Sequence, residues 1–172
     1  MLQVFHSMKE LSFSQLMDVY EESNSLNGSE IYHNLSQFEQ LHEAEQDFFN
    51  YLTSVFFRQE DSFYAVWDAG KKYTSALRIE PYLDGVLLCG LETAPGERRK
   101  GYAYALLTSL IKYLQEQGSG IIYSHVSKKN VSSLNVHFKT GFQIIKEYAV
   151  YSDGSVVNNC YTLALKYEKP ET

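Results

Sequence analysis

The stretch from Leu91 to Leu110, LETAPGERRKGYAYALLTSL, limits what this chain can fold into more than any other. An apolar strand-like run ends in a turn holding Arg98, Arg99 and Lys100, with Gly96 before them and Gly101 after. An apolar helix pattern then starts at once: Ala103, Leu106, Leu107, Leu110, Ile111 and Leu114 recur at helical spacing, and Gly118 suits the helix end. The strand, Val86 to Thr93, is nearly unbroken in its apolar character, as expected of one covered on both faces. A helix start leaves unpaired N–H groups and partial positive charge, so it attracts anions. Gly101 and Ala103 keep that end free of bulk, Gly96 is expected to turn the loop after Pro95, and the cations add charge. The elbow reads as a cradle for a diphosphate; the competing reading is an ordinary solvated turn with surface cations. It matches neither G-x-x-x-x-G-K-[ST] nor G-x-G-x-x-G.

The flanking sequence supplies the rest of a layered α/β (α+β) domain. Leu2 to Phe5 reads as a first strand. In SFSQLMDVYEES, Ser12 and Gln15 have the spacing of a capping box and Leu16, Met17 and Tyr20 share a face. A polar connection is expected over Asn24 to Glu30. A second helix follows, with Ser36 and Glu39 as its capping box. From Ser62 the period becomes that of strands, with turns at Asp68-Ala69-Gly70 and Asp84-Gly85. GIIYSHV is a further buried strand, and Asn130 is placed to cap a short helix through Lys139. FQIIKEYAVY and SVVNNCYTLALKY flank Asp153-Gly154, a hairpin signal. The expected order is β-αα-βββ-α-β-α-ββ: a single domain over 1–172, with a mixed twisted sheet of about seven strands and four helices.

Composition narrows the function. With 172 residues, 44% of them hydrophobic, the chain can bury an ample core. A net charge of −6 disfavours loose binding to nucleic acid or an anionic membrane. No run approaches the ~20 apolar residues of a membrane span, and the start MLQVFHSMKEL lacks a signal-peptide core, so a cytoplasmic protein is expected. Cys89 and Cys160 sit in apolar runs and are read as small buried hydrophobes rather than disulfide or metal partners. His6, His33 and His42 share no metal spacing with Cys or Asp, so no metal is assigned.

Arg98-Arg99-Lys100-Gly101-Tyr102-Ala103 resembles the R/Q-x-x-G-x-G/A signature of the GNAT superfamily of N-acetyltransferases, and Thr93-Ala94-Pro95 stands where that family has V-x-P. Asn130, Ser133, Gly141 and Phe142 resemble its second signature. The resemblance spans nearly the whole chain and is densest from Leu87 to Phe142. It implies a cofactor-binding core at about 86–142, acceptor-side helices at about 12–58 and a C-terminal hairpin at about 142–168. It implies acetyl-CoA held between two splayed strands, Val86–Thr93 and Gly120–Val126. The diphosphate would lie on the amides of Arg99, Lys100, Gly101, Tyr102 and Ala103, with Arg98 beside them. The pantetheine arm would pair with Leu91, Glu92 and Thr93, and Asn130 would face it.

Such a reaction needs a neutral amine, whereas a free alkylamine has a pKa near ~10, so a base within hydrogen-bond reach is required. Glu92 is the first candidate, the alternative being a rim carboxylate paired with Arg98 or Arg99. Glu80 is a second candidate or a solvated hairpin acid. The resemblance implies an acid for the departing thiolate at the position of His137, where the family commonly has tyrosine; the alternatives are a helix-surface histidine, with Tyr102, Tyr148 or Tyr151 in that role. His125 either lines the acceptor cleft or is a hydrogen-bonded strand histidine. For the acceptor side, Glu21, Glu22, Glu30, Glu39, Glu43, Glu45 and Asp47, with Tyr20, Tyr32, Tyr148, Tyr151 and Tyr161, form either an acidic aromatic mouth favouring a cationic amine or a solvated helix face. The fold alone also permits a non-catalytic acyl-CoA-binding or regulatory module. A nucleic-acid or protein interaction domain, with the elbow as a mere basic patch, is disfavoured by the acidic total and the lack of a second basic stripe. The aromatic C-terminal hairpin offers a sheet edge for a homodimer.

Overall fold

A computed structural model describes residues 1–170. Alternating apolar residues place one seven-stranded sheet at the centre, ordered β1-β2-β3-β4-β5-β9-β6. Its strands are β1 (Leu2–Phe5), β2 (Phe63–Asp68), β3 (Tyr73–Tyr82), β4 (Gly85–Thr93), β5 (Gly120–Ser127), β6 (Gln143–Lys146) and β9 (Cys160–Tyr167). Neighbours run antiparallel except β4 and β5, which are parallel and joined by the crossover helix α3 (Tyr102–Gln117). The expected element order holds, with additions at the C-terminal end. There the Asp153-Gly154 turn closes a separate two-stranded ribbon, β7 (Ala149–Val150) with β8 (Val156–Val157), while β6 pairs with β9 at the sheet edge.

Two cores cover the two sheet faces. On one, Leu106, Leu107, Leu110 and Leu114 of α3 pack on Leu77, Ile79, Leu88, Ile122 and Leu163, with Leu134 of α4 (Val131–Lys139) alongside. Each such leucine contributes about 2 kcal/mol through its lost apolar surface. On the other face, α1 (Phe13–Ile31) and α2 (Gln37–Ser54) bury Leu16, Met17, Tyr20 and Leu52 against Tyr64, Val66 and Ala76.

Two local expectations fail for tertiary reasons. The presumed polar connection Asn24 to Glu30 is helical, because α1 continues to Ile31. Asn24 and Gly28 are buried in it, and a Cβ on Gly28 would lie 2.3 Å from the Gln40 carbonyl oxygen, so glycine lets α1 and α2 touch. Ser12 precedes α1 but its hydroxyl makes no capping bond. Gln15 instead accepts from the Tyr73 N–H at 3.0 Å, tying the helix to β3. The second box is formed, Ser36 and Glu39 capping α2 reciprocally.

Candidate active site

Pairing between β4 and β5 ends early. Val86, Leu87 and Leu88 face Ile122, Tyr123 and Ser124, and beyond that point the strands diverge. A bulge sharpens the divergence: between Ala76↔Glu92 and Arg78↔Cys89, Gly90 and Leu91 stand opposite the single residue Leu77. Gly90 has φ +60°, a conformation that glycine adopts without the Cβ penalty. The bulge is held from both sides. The Tyr20 hydroxyl donates to the Gly90 carbonyl at 2.6 Å, and the Ser75 hydroxyl donates to the Glu92 carbonyl at 2.6 Å.

The gap opens into a cleft of about 1180 Å³, bounded by Gly90–Thr93 on one side and by Ser124–Ser127, Asn130 and His137 on the other. Its end is the elbow. The turn is made not by Gly96, which lies in a short 3₁₀ turn over Pro95–Glu97, but by Arg99 at φ +63° and Gly101 at φ +83°. Ala105 N–H makes the first helical bond, 2.9 Å to the Gly101 carbonyl, so the amides of Tyr102, Ala103 and Tyr104 are left without helical partners. Leu91, Thr93, Arg98, Arg99, Gly101, Tyr102, Ala103 and Asn130 all line the cleft. Lys100 does not; its ammonium is 2.8 Å from Glu97. Arg98 pairs with Glu22 of α1 and donates through Nε to the Thr93 carbonyl at 3.4 Å, which bridges α1 to the elbow. Asn130 Oδ1 accepts from Ser133 N–H at 3.0 Å, so the side chain caps α4 and leaves its NH₂ for the cleft.

Glu92 lies half-buried on the cleft wall. Burial raises its pKa above the ordinary carboxylate value, opposed by the Ser23 hydroxyl and by Arg98. Glu80 is half-buried rather than solvated, and accepts from the Cys89 thiol at 3.6 Å. Cys89 is itself half-buried; burial first, then Glu80, pushes its thiol up to about 12, which makes it a poor nucleophile. Cys160 is also half-buried, and both cysteines are free.

His137 is 1% exposed, so it is not a surface histidine. Its Nδ1 lies 2.8 Å from the Ser133 carbonyl oxygen, which can only accept. The ring therefore carries its hydrogen on Nδ1, and Nε2 is a buried acceptor with no partner. Burial lowers its pKa. His125 is unsatisfied as well, contrary to a hydrogen-bonded strand role. Both ring nitrogens are buried without partners, and the ring sits edge-on between Tyr82 and Tyr151 at 5.5 and 4.9 Å. Burial, then Lys146, lowers its pKa.

The acidic mouth largely disperses. Of its acids only Glu22 lines the main cleft; Glu39 caps α2 and Asp47 accepts from Tyr32. Sequence reasoning missed Arg78, though a cation between Leu77 and Ile79 in an apolar strand was a signal, as was a glycine in mid-strand at position 90.

The family model for the acetyltransferase (GNAT) family matches residues 16–142. No curated protein matches the chain closely enough to count as a relative. Among solved structures, the PaiA N-acetyltransferase of Thermoplasma acidophilum in complex with coenzyme A aligns with TM-score 0.60 at 16% identity, covering 97% of this chain and 99% of that one. The ribosomal-protein-S18-alanine N-acetyltransferase of Escherichia coli aligns with TM-score 0.53 at 17% identity, covering 99% and 97%. Aminoglycoside 6′-acetyltransferase type Ii aligns with TM-score 0.63 at 15% identity, covering 99% of each chain. At these identities the likeness is one of fold.

Proposed function

The chain belongs to the acetyltransferase (GNAT) family, and from that premise we propose that it transfers an acetyl group from acetyl-CoA to a primary amine of a small molecule or peptide. Transfer is direct, within a ternary complex. The observation that carries this reading is the parting of β4 from β5 after Leu88 and Ser124, beside a helix start whose amides lack partners. In this reading the amides of Arg99–Ala103 take the diphosphate, with the Arg98 and Arg99 guanidinium groups beside it. Lys100 contributes its amide and long-range charge rather than a contact. The pantetheine arm runs along Leu91, Glu92 and Thr93, and the Asn130 NH₂ faces it.

The amine nitrogen attacks the thioester carbon, the C–N bond forms and the C–S bond breaks. Glu92 takes the proton the ammonium must lose, directly or through water, and its raised pKa brings it nearer the working range. A fixed N–H at the Gly90–Leu91 bulge is suited to the oxyanion. The attacking nitrogen must lose a second proton as the amide forms, and the departing thiolate must gain one. His137, neutral with Nε2 as acceptor, can take that proton from the nitrogen and hand it to the thiolate, so it acts as a relay and not as a pre-loaded acid. Cys89 has too high a pKa to carry a covalent acetyl group. The acceptor side consists of the helices at about 12–58 and the loops around the C-terminal ribbon.

No helix among the described residues is long and apolar enough to cross a membrane; we take the cytoplasm as its place of action. We also take it as a homodimer paired through the β6 edge, where Ile144 and Ile145 are 41% and 49% exposed. The central test mixes the protein with acetyl-CoA and an amine panel and titrates free thiol. Release with at least one amine supports the reading, and release at background with all of them overturns it.

A further inference from the structure

Arg78 is the group that the proposed reaction leaves unused. It stands on β3, opposite Tyr64 and Cys89, on the sheet face that α1 and α2 cover. Its guanidinium carbon lies 5.1 Å from the Tyr51 ring centre and 5.8 Å from that of Phe48. These rings face the cation with their π-clouds, and the Arg78 Nε, itself buried, has no hydrogen-bond partner among the described residues. No carboxylate among the described residues forms an ion pair with the side chain. Its neighbour Glu80, two residues along the same face, is engaged by the Cys89 thiol.

Arg78 is half-buried, with Nε out of water; Glu92 acts on its charge through space but makes no ion pair with it, so the planar fork, whose shape matches a carboxylate, stays open to a ligand. Position identifies what would complete it. One terminal nitrogen of Arg78 lies 3.7 Å from where a Cβ on Gly90 would sit, and Gly90 lines the cleft at the bulge. Glu92 stands one pair further along that face, opposite Ala76, so its backbone position is a diagonal ~8 Å from that of Arg78 across the sheet. Arg78 is not part of the cleft lining; it lies behind Gly90 while Glu92 stands on the cleft wall, so a ligand that reaches past the bulge would meet both.

We propose that the acceptor is an amine bearing a carboxylate near its amino group, an amino acid in the simplest case, with the carboxylate on Arg78 and the amino group toward Glu92. This inference deepens the acetyl-CoA reading and rests on it. It adds a carboxylate to the cationic amine that the acidic aromatic mouth was expected to favour.

The test compares the standard L-amino acids, each beside its own carboxamide, as ligands of the protein loaded with CoA, by thermal shift and then calorimetry. At least one amino acid should bind about tenfold or more tightly than its carboxamide, since truncating one partner of a buried charge pair weakens binding by at least that much. Arg78→Met should erase the preference while leaving CoA affinity within about twofold, and Arg78→Lys should keep part of it. Should Arg78→Met fail to fold, the acid–amide contrast in the unaltered protein decides alone. Carboxamides that bind as well as their acids, no binding by any amino acid, or a preference that survives in Arg78→Met would each overturn the inference with the acetyl-CoA reading intact. Failure of CoA itself to bind would overturn both.

Discussion

The Tyr20 hydroxyl donates to the Gly90 carbonyl at 2.6 Å, and this bond ties the middle of α1 to the bulge of β4 across 70 residues of chain. The bulge aims the backbone at the cleft, so a core helix governs the geometry of the reacting centre. Tyr20→Phe keeps the ring in its cluster and leaves the Gly90 carbonyl without that donor. Stability should fall by about 1–2 kcal/mol in urea denaturation. The kcat/KM for acetyl transfer should fall further than that loss explains, with CoA affinity little changed in calorimetry.

Gly101 separates folding from ligand binding. Its φ of +83° disfavours any side chain, yet no other atom lies within 4 Å of a Cβ built there. Gly101→Val should therefore cost about 1–2 kcal/mol of conformational strain and no steric clash within the protein. The same branched side chain would stand where a diphosphate meets the amides of Tyr102 and Ala103, so CoA affinity should drop about tenfold or more. Calorimetry beside thermal melting reads both effects.

Glu92 carries a prediction with a definite sign. Burial, its leading cause, raises its folded pKa above the ordinary 4.5. The folded protein thus holds this proton more tightly than the unfolded chain, and the stability it lends below pH 4.5 is lost as pH rises through the folded value. Glu92→Gln should gain on the native protein in urea midpoint as pH goes from about 4.5 to neutrality. If Glu92 is the base, the same change should lower kcat about 10²- to 10⁴-fold and abolish the acid limb of the rate profile.

Most of the sequence's candidate cofactor-binding residues line the cleft, and they were legible because their signals are local. A strand, a charged turn and a helix in direct succession require only neighbouring residues, and Asn130 with Ser133 makes a cap within one turn. What escaped depends on distant contacts. Gly28 looked like a loop residue because its reason is the Gln40 carbonyl on another helix. Gln15 matched a capping box but serves Tyr73. Arg98 and Lys100 looked equivalent, yet Glu22 draws one across the cleft and Glu97 draws the other away from it. Arg78 gave only a cation in an apolar strand; its meaning comes from the rings of α2 and the bulge of β4.

The proposed dimer can be tested at one position. Ile145 is 49% exposed on β6, a strand with a free edge. Ile145→Lys adds a charge to that edge at little cost to the fold, within about 0.5 kcal/mol for a surface site. Light scattering after size exclusion should show a dimer for the native protein and a monomer for the variant, while a native monomer would remove the proposal.

His137 gives the opposite pH sign to Glu92. Burial, its leading cause, depresses its folded pKa below 6.5, so the unfolded chain takes up this proton first as pH falls. The stability it lends above pH 6.5 is lost downward from there until the folded value is passed. His125 acts in the same direction, and its share remains when His137 is replaced. His137→Phe keeps a ring against Phe142, with which the imidazole packs edge-on at 5.0 Å, and removes the titration. The variant's urea midpoint should therefore fall less than the native one between pH 7.5 and pH 5. Equal falls would mean that the imidazole is not held neutral by the fold, and that its Nε2 is not the buried acceptor that restricts its part in the reaction.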